Sequence, residues 1–268
     1  MVKRLLELQR RAWSVALRTA LLPATSLIRR ADRHLTWRLS EVCFGAQRPG
    51  IYPEVSLGTL LSGDVPVTLR SLPNRSYNVT EMELLAISAI VKQMQARSAF
   101  EIGTADGRTT LNIANNMAAG GTVFTLNLPL DQDAGHTQDL PVGYHFSNQR
   151  LAASVVQLWG DSQTFDFSPY RQRCQIVFID ADHFEPGVSI DSQSALCLVD
   201  RNNSVVLWHD ALRFDVQVVL PRFIKSEGLP IHLIAGTNLA ALFFLNGQPV
   251  APSEWAVHNA CVEQPAEI

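Results

Sequence analysis

The sequence predicts an open α/β fold: a mostly parallel sheet of seven strands, helices on both faces, and an antiparallel hairpin at its C-terminal end. Three observations predict it. Short apolar runs recur at 99–102, 122–128, 154–158, 175–179, 204–208, 231–235 and 239–245. Between the first and the sixth, the intervening stretches are long enough to hold helices, which is the rhythm of βαβ units. The last two runs are joined only by Gly236, Thr237 and Asn238, too few residues for a crossover, so they close as an antiparallel pair.

Composition supports a folded body. The chain has 268 residues, 47% hydrophobic and 18% charged, which buries a core and excludes disorder over most of its length. The net charge of −3 gives no reason to expect a nucleic-acid partner. Charge is unevenly spread, however, with a net +7 over residues 1–40 and −10 over the rest. Residues 1–44 read as a basic amphipathic helical arm, with Leu5, Leu6, Leu8, Trp13, Leu17 and Leu21 in helical rhythm among arginines and a break near Pro23. Such an arm packs on the body or a second subunit, or lies on an anionic membrane surface, and both readings stay open. Homo-oligomers are therefore allowed for. Residues 45–76, with Pro49, Pro53, Pro66 and Pro73, read as an irregular connector, and 77–268 as the main domain.

Cys43, Cys174, Cys197 and Cys261 are widely spaced, which argues against a disulfide framework and for a reducing compartment. The uncharged stretches 109–130 and 228–253 are broken by Asn, Gly or Pro, so they read as helix-turn-strand and strand-turn-strand. Arg10, Arg11 and Arg18 interrupt the N-terminal apolar pattern, unlike a signal peptide. A cytoplasmic protein is expected, with membrane association through the arm as the open alternative.

Along the main domain, Thr80 and Glu83 have capping-box spacing, and Leu84, Ile87, Ile90, Val91 and Met94 form one face of a helix over about 80–97. The polar segment 129–150 is expected to cover the site. In sheets of this kind ligands bind beyond the carboxyl ends of the strands, so chemistry is sought just after 102, 128, 158, 179 and 208.

The first strand leads into Glu101-Ile102-Gly103-Thr104-Ala105-Asp106-Gly107. Two glycines four apart allow a tight turn and close approach to a ligand, and a helix opens after them. The third glycine of a dinucleotide fingerprint is missing. The second strand ends at Asn127, the third at Gly160-Asp161-Ser162, the fourth at Asp180-Ala181-Asp182-His183, and the fifth at Trp208-His209-Asp210. Each polar residue also reads blandly, as a turn or helix cap. Together, Asp180, Asp182, His183, His209 and Asp210 supply oxygen and imidazole donors suited to magnesium, manganese or iron.

The G-x-x-x-G loop after an acidic strand end resembles motif I of class I S-adenosylmethionine-dependent methyltransferases. The stretch from Tyr77-Asn78-Val79-Thr80 to about residue 245 resembles a bacterial group of these enzymes, and the D-x-x-H at Asp180 and His183 resembles metal-dependent O-methyltransferases of macrolide sugars. The resemblance implies a Rossmann-like class I fold and S-adenosylmethionine bound by Glu101, Gly103, Thr104, Gly107, Asn127, Asp161, Ser162 and Asp180. Asn127 departs from the acid that usually accepts the ribose hydroxyls. The resemblance further implies a divalent metal (Mg or Mn before Fe) on Asp180 and Asp210, with His183 as general base. His209 stands where relatives often carry another acid, and its imidazole can join the ligands. The acceptor implied is a small molecule or glycan, a sugar hydroxyl above all. Two alternatives remain: a related iron-dependent hydroxylase, and a non-catalytic cofactor-binding scaffold.

Overall fold

A computed structural model describes residues 51–73, 78–129, 140–147, 149–213 and 216–260, all within one compact unit that begins at Pro49. The basic arm lies outside the described residues. So do His136 and residues 130–139 of the expected covering segment.

The elements in chain order are β1 (Glu54–Val55), α1 (Leu57–Leu60), α2 (Glu81–Gln93), β2 (Ser98–Ile102), α3 (Arg108–Asn116), β3 (Thr122–Asn127), β4 (Ser154–Trp159), β5 (Ile176–Ile179), α4 (Gly187–Leu198), β6 (Asn203–Trp208), α5 (Val216–Glu227), β7 (His232–Ile234), β8 (Ala240–Leu245), β9 (Gln248–Val250) and α6 (Pro252–Ala260). Helix α2 starts where its capping box places it. Thr80 Oγ1 accepts from the Glu83 amide, and Glu83 Oε2 accepts from the Thr80 amide (2.6 Å). It ends at Gln93, four residues before the expected limit.

All seven expected strands form. The order across the sheet is β1-β7-β8-β6-β5-β2-β3-β4, with β2 to β6 parallel and β8 antiparallel to β6 and β7. This is the Rossmann-like class I arrangement with its antiparallel C-terminal pair. Nine strands are described, because β1 and β9 add two short ones. β9 returns along β8 through Asn246 and Gly247, both at positive φ (49° and 84°), an Asn-Gly hairpin turn. β1 pairs in parallel with β7 and corrects the expected irregular connector, since residues 54–60 belong to the sheet edge and its flanking layer.

Residues 68–72 of that connector are also tied down. Helix α3 carries a polar stripe at four-residue spacing, Arg108, Asn112 and Asn116, on one buried face. Asn116 accepts from the Thr68 amide and donates to its carbonyl (both 2.9 Å), and Asn112 does the same for Arg70 (2.8 and 3.0 Å). Arg108 donates to the carbonyls of Ser71, Leu72 and Val79. The stripe thus satisfies backbone groups of a segment that has no strand partner.

The core has two apolar clusters. One joins α2, α3 and α6 to the sheet, and the other joins α4 and α5 to it. Central strands β5 and β8 are buried along their whole length, as strands covered on both faces must be. Trp208 belongs to the core, with Nε1 donating to Ser192 Oγ (3.0 Å).

Candidate active site

Strands β2, β3 and β4 succeed one another toward one edge, and β5 and β6 toward the other, so strand order reverses between β2 and β5. A crevice opens outside the carboxyl ends of strands at such a reversal. Here the two ends nearly touch. Gly103 follows β2 at φ +105°, and a Cβ on it would stand 2.2 Å from the Asp180 carbonyl oxygen. The glycine therefore serves the contact between β2 and β5 first.

Beyond it the loop turns through Ala105 (φ 47°) to Gly107 (φ 79°), the N-cap of α3. Residues 140–147 lie against this loop: the Gly143 amide donates to the Ala105 carbonyl and the His145 amide to the Asp106 carbonyl (both 3.0 Å). A Cβ on Gly107 would meet the Phe146 ring at 2.6 Å. The described part of the covering segment therefore packs where the polar composition placed it. Asp106, buried in the loop, accepts from Asn78 Nδ2 (3.2 Å) and the Arg108 amide (3.1 Å).

Two residues expected at the cofactor face inward instead. Glu101 is fully buried behind the loop, and its Oε2 accepts from Thr110 and Thr125. Burial raises its pKa to about 8 against those bonds, with the charges of Asp180 and Asp106 adding to the rise. Thr104 turns its hydroxyl to Thr125 Oγ1 (2.7 Å) and to Gln157 Nε2 (3.1 Å). A strand-end glutamate reads the same in sequence whether it faces ligand or core, because only the pleat and its neighbours decide. Asn127 does reach the loop, its Oδ1 accepting from the Ala105 amide (3.2 Å). Asp161, partly exposed after β4, caps its own turn by accepting from the Gln163 amide (2.9 Å). Its neighbour Ser162 stands near Asp191, a buried α4 carboxyl that burial raises to about 6. Asp182 closes a similar turn by accepting from the Phe184 amide (3.1 Å). Loop, strand-end amide and partly exposed acid together form a rim at the carboxyl ends of β2, β3 and β4.

The second half of the site is ionic. His183 Nε2 stands 3.4 Å from Asp180 Oδ1 and 3.3 Å from Asp210 Oδ2. His209 Nδ1 faces Asp180 Oδ1 at 3.0 Å, and its Nε2 faces Glu83 Oε2 at 3.3 Å. Arg213 approaches Asp210 Oδ1 at 3.8 Å. Asp210 takes a positive φ of 52°, which turns its carboxylate into the cluster. Burial alone would push both imidazoles down. The carboxylates of Asp180 and Asp210 outweigh it, raising His183 to about 10 and His209 well above its usual value. Conversely, burial would raise Asp210 and Glu83, yet the histidines hold each at about 2. A small cavity adjoins the cluster, lined by Asp180, Asp182, His183, His209, Val188 and Val216.

The cluster fits a divalent cation. One ligand atom each from Asp180, His183 and His209 can lie within 4.8 Å of one another. The sequence placed Asp210 in that set, and it stands beside it, Oδ2 3.8 Å from His209 Nδ1. The residue that sequence reading missed is Glu83. Its signal was present, but a capping-box glutamate is fully explained by its helix, and nothing local announces a histidine 126 positions away.

Residues 100–211 match a family model described as a methyltransferase domain, and no curated protein matches the chain. Among solved structures, the chain is similar to an O-methyltransferase from Bacillus cereus in complex with SAH (21% identity, 63% of this chain and 83% of that one, TM-score 0.44). It is also similar to the O-methyltransferase TomG of tomaymycin synthesis from Streptomyces achromogenes, in complex with SAM (17% identity, 64% and 82%, TM-score 0.43). The matched span runs from β2 to just past β6 and so takes in the strands whose carboxyl ends carry the glycine loop and the acid–imidazole cluster.

Proposed function

We propose that the protein is an O-methyltransferase that moves the methyl group of S-adenosylmethionine onto a hydroxyl of a sugar or glycosylated natural product, assisted by a divalent metal. The observation that carries this reading is the acid–imidazole cluster of Asp180, His183, His209 and Asp210, set directly beside the glycine loop by the contact between Gly103 and Asp180. In that reading the cofactor lies along Gly103, Gly107, Asn127, Asp161 and Ser162, and the acceptor enters over β5 and β6.

Methyl transfer from a sulfonium is an in-line displacement. The acceptor oxygen forms the new carbon–oxygen bond as the carbon–sulfur bond breaks, and S-adenosylhomocysteine leaves. The residues here hold the acceptor and manage its proton. Asp180, His209 and Asp210 would hold the cation, which when bound lowers the pKa of the hydroxyl. His183 is the group placed to take that proton, its Nε2 lying between the two carboxylates. The carboxylates that raise His183 to about 10 are those the cation would occupy, so a bound ion would lower the imidazole toward the range of a base.

The test is turnover of a panel of nucleotide sugars and glycosides, read as methylated product and S-adenosylhomocysteine by mass spectrometry. His183→Ala is expected to lower kcat by 10²-fold or more, the usual scale for losing a general base, while leaving calorimetric affinity for S-adenosylhomocysteine unchanged. Wild-type activity in that variant would remove His183 as the base.

One observation favours a second reading. Asp180, His183 and His209 make a two-histidine, one-carboxylate donor set, the set that holds ferrous iron in oxygenases. Oxygen consumption coupled to acceptor hydroxylation in the iron-loaded protein would support it, with His183 as ligand rather than base.

A further inference from the structure

The carboxylate of Glu83 has two occupations. On α2 it closes the capping box, Oε2 accepting from the Thr80 amide (2.6 Å), while Oε1 accepts from the Asn238 amide (2.7 Å) in the β7–β8 turn. The same Oε2 faces His209 Nε2 at 3.3 Å. Glu83 is 1% exposed and His209 7%, so water does not compete for this contact. Two backbone donors from separate elements fix the carboxylate, and it in turn fixes the ring. Without an ion both ring nitrogens face carboxylates that only accept; an ion taken up beside Asp180 would claim Nδ1 and leave the single N–H on Nε2, facing Glu83. Nδ1 stands 3.0 Å from Asp180 Oδ1. This spacing suits two adjacent ligands of one ion with bonds of about 2.1 Å.

We propose that Glu83 is a positioning residue for the metal site, committing His209 Nδ1 to the ion and making the site select manganese or another borderline first-row ion over magnesium. The inference rests on the metal-assisted reading above and adds to it a supporting residue and an ion class. A carboxylate behind a ligating histidine fixes the tautomer and raises the basicity of the ligating nitrogen. An imidazole among the donors favours ions softer than magnesium, which prefers oxygen and retained water. Buried behind His209, Glu83 would act on the site through that ring.

Calorimetric titration of the full-length protein with Mn²⁺ and Mg²⁺ tests this, together with pulsed electron paramagnetic resonance of the Mn²⁺ complex. The wild type is expected to bind Mn²⁺ at least tenfold more tightly than Mg²⁺ and to show nitrogen coupling at the ion, with that coupling absent from His209→Ala. Glu83→Gln, which retains an acceptor but not the charge, is expected to weaken Mn²⁺ binding on the order of 10–100-fold. Thr80→Ala loses the side-chain half of the same helix cap without touching His209, and its Mn²⁺ affinity should stay within twofold of wild type. Equal affinity for the two ions, no ion binding, no nitrogen coupling, wild-type affinity in Glu83→Gln, or a parallel fall in Thr80→Ala would each overturn the proposal. The first three measurements use only the wild-type protein, so a poorly folding variant does not block the test. Titration with S-adenosylhomocysteine and the turnover assay report separately on the methyltransferase reading, which can fail while the ion selectivity stands.

Discussion

At the scale of single residues, Glu101 and Gly103 sit two apart and carry different loads. Glu101 holds its proton at neutral pH because burial raises its pKa from 4.5 to about 8. The folded state therefore binds a proton that the unfolded chain has released between those values. The resulting stability is fully present below the lower value and is lost as pH rises through the upper one, a change on the order of several kcal/mol. Urea unfolding at stepped pH should show wild-type stability falling between about pH 4.5 and pH 8. Glu101→Gln, neutral throughout, should show a flatter profile; an equally steep fall would mean another group titrates. Gly103→Ala should cost more than about 2 kcal/mol, because a Cβ would strike the Asp180 carbonyl and the φ is left-handed. A lowered urea midpoint checks it, with reduced cofactor affinity following from misplacement of the loop. The residue types at strand ends were legible in the sequence, since ligands gather there in any such sheet. Which way each side chain points was not, and Glu101 and Thr104 turned inward for that reason.

At the scale of elements, strands and helices announced themselves through apolar runs, and the capping box located the start of α2. The segment along α3 did not, because its order comes from side chains on a distant helix rather than from its own pattern. Arg108, Asn112 and Asn116 were visible only as polar positions at four-residue spacing, which in isolation suggests a solvated face. In the fold that face is buried, and each asparagine supplies one donor and one acceptor to the passing backbone. Asn116→Ala should lower stability by roughly 1–3 kcal/mol by stranding both Thr68 groups. Asn116→Asp should do no better, since a carboxylate accepts from the Thr68 amide but has no proton for its carbonyl. Chemical denaturation of both variants decides this, and a midpoint equal to wild type in either would show the ladder to be dispensable.

At the scale of the whole molecule, the glycine-loop half of the site comes from β2, β3 and β4 and the acid–imidazole half from β5 and β6, with α2 reaching across to His209 from a third direction. No helix among the described residues is long and apolar enough to cross a membrane. A ligand that binds only this assembled rim stabilises everything that builds it. S-adenosylhomocysteine at a hundredfold excess over Kd is expected to add about 2.7 kcal/mol to unfolding. A rise in Tm with ligand concentration measures it, and no rise would argue that the rim does not take the cofactor.

The meeting of Gly103 with the Asp180 carbonyl has one further consequence. Main chain abuts main chain there, with no side chain between them to swing aside. On the proposed reading, the gap between methyl donor and proton acceptor would be set by the rigid middle of the sheet and could not be adjusted by one half hinging on the other. Divergence toward new acceptors would then proceed by reshaping the surrounding loops, while the reacting centre keeps its spacing.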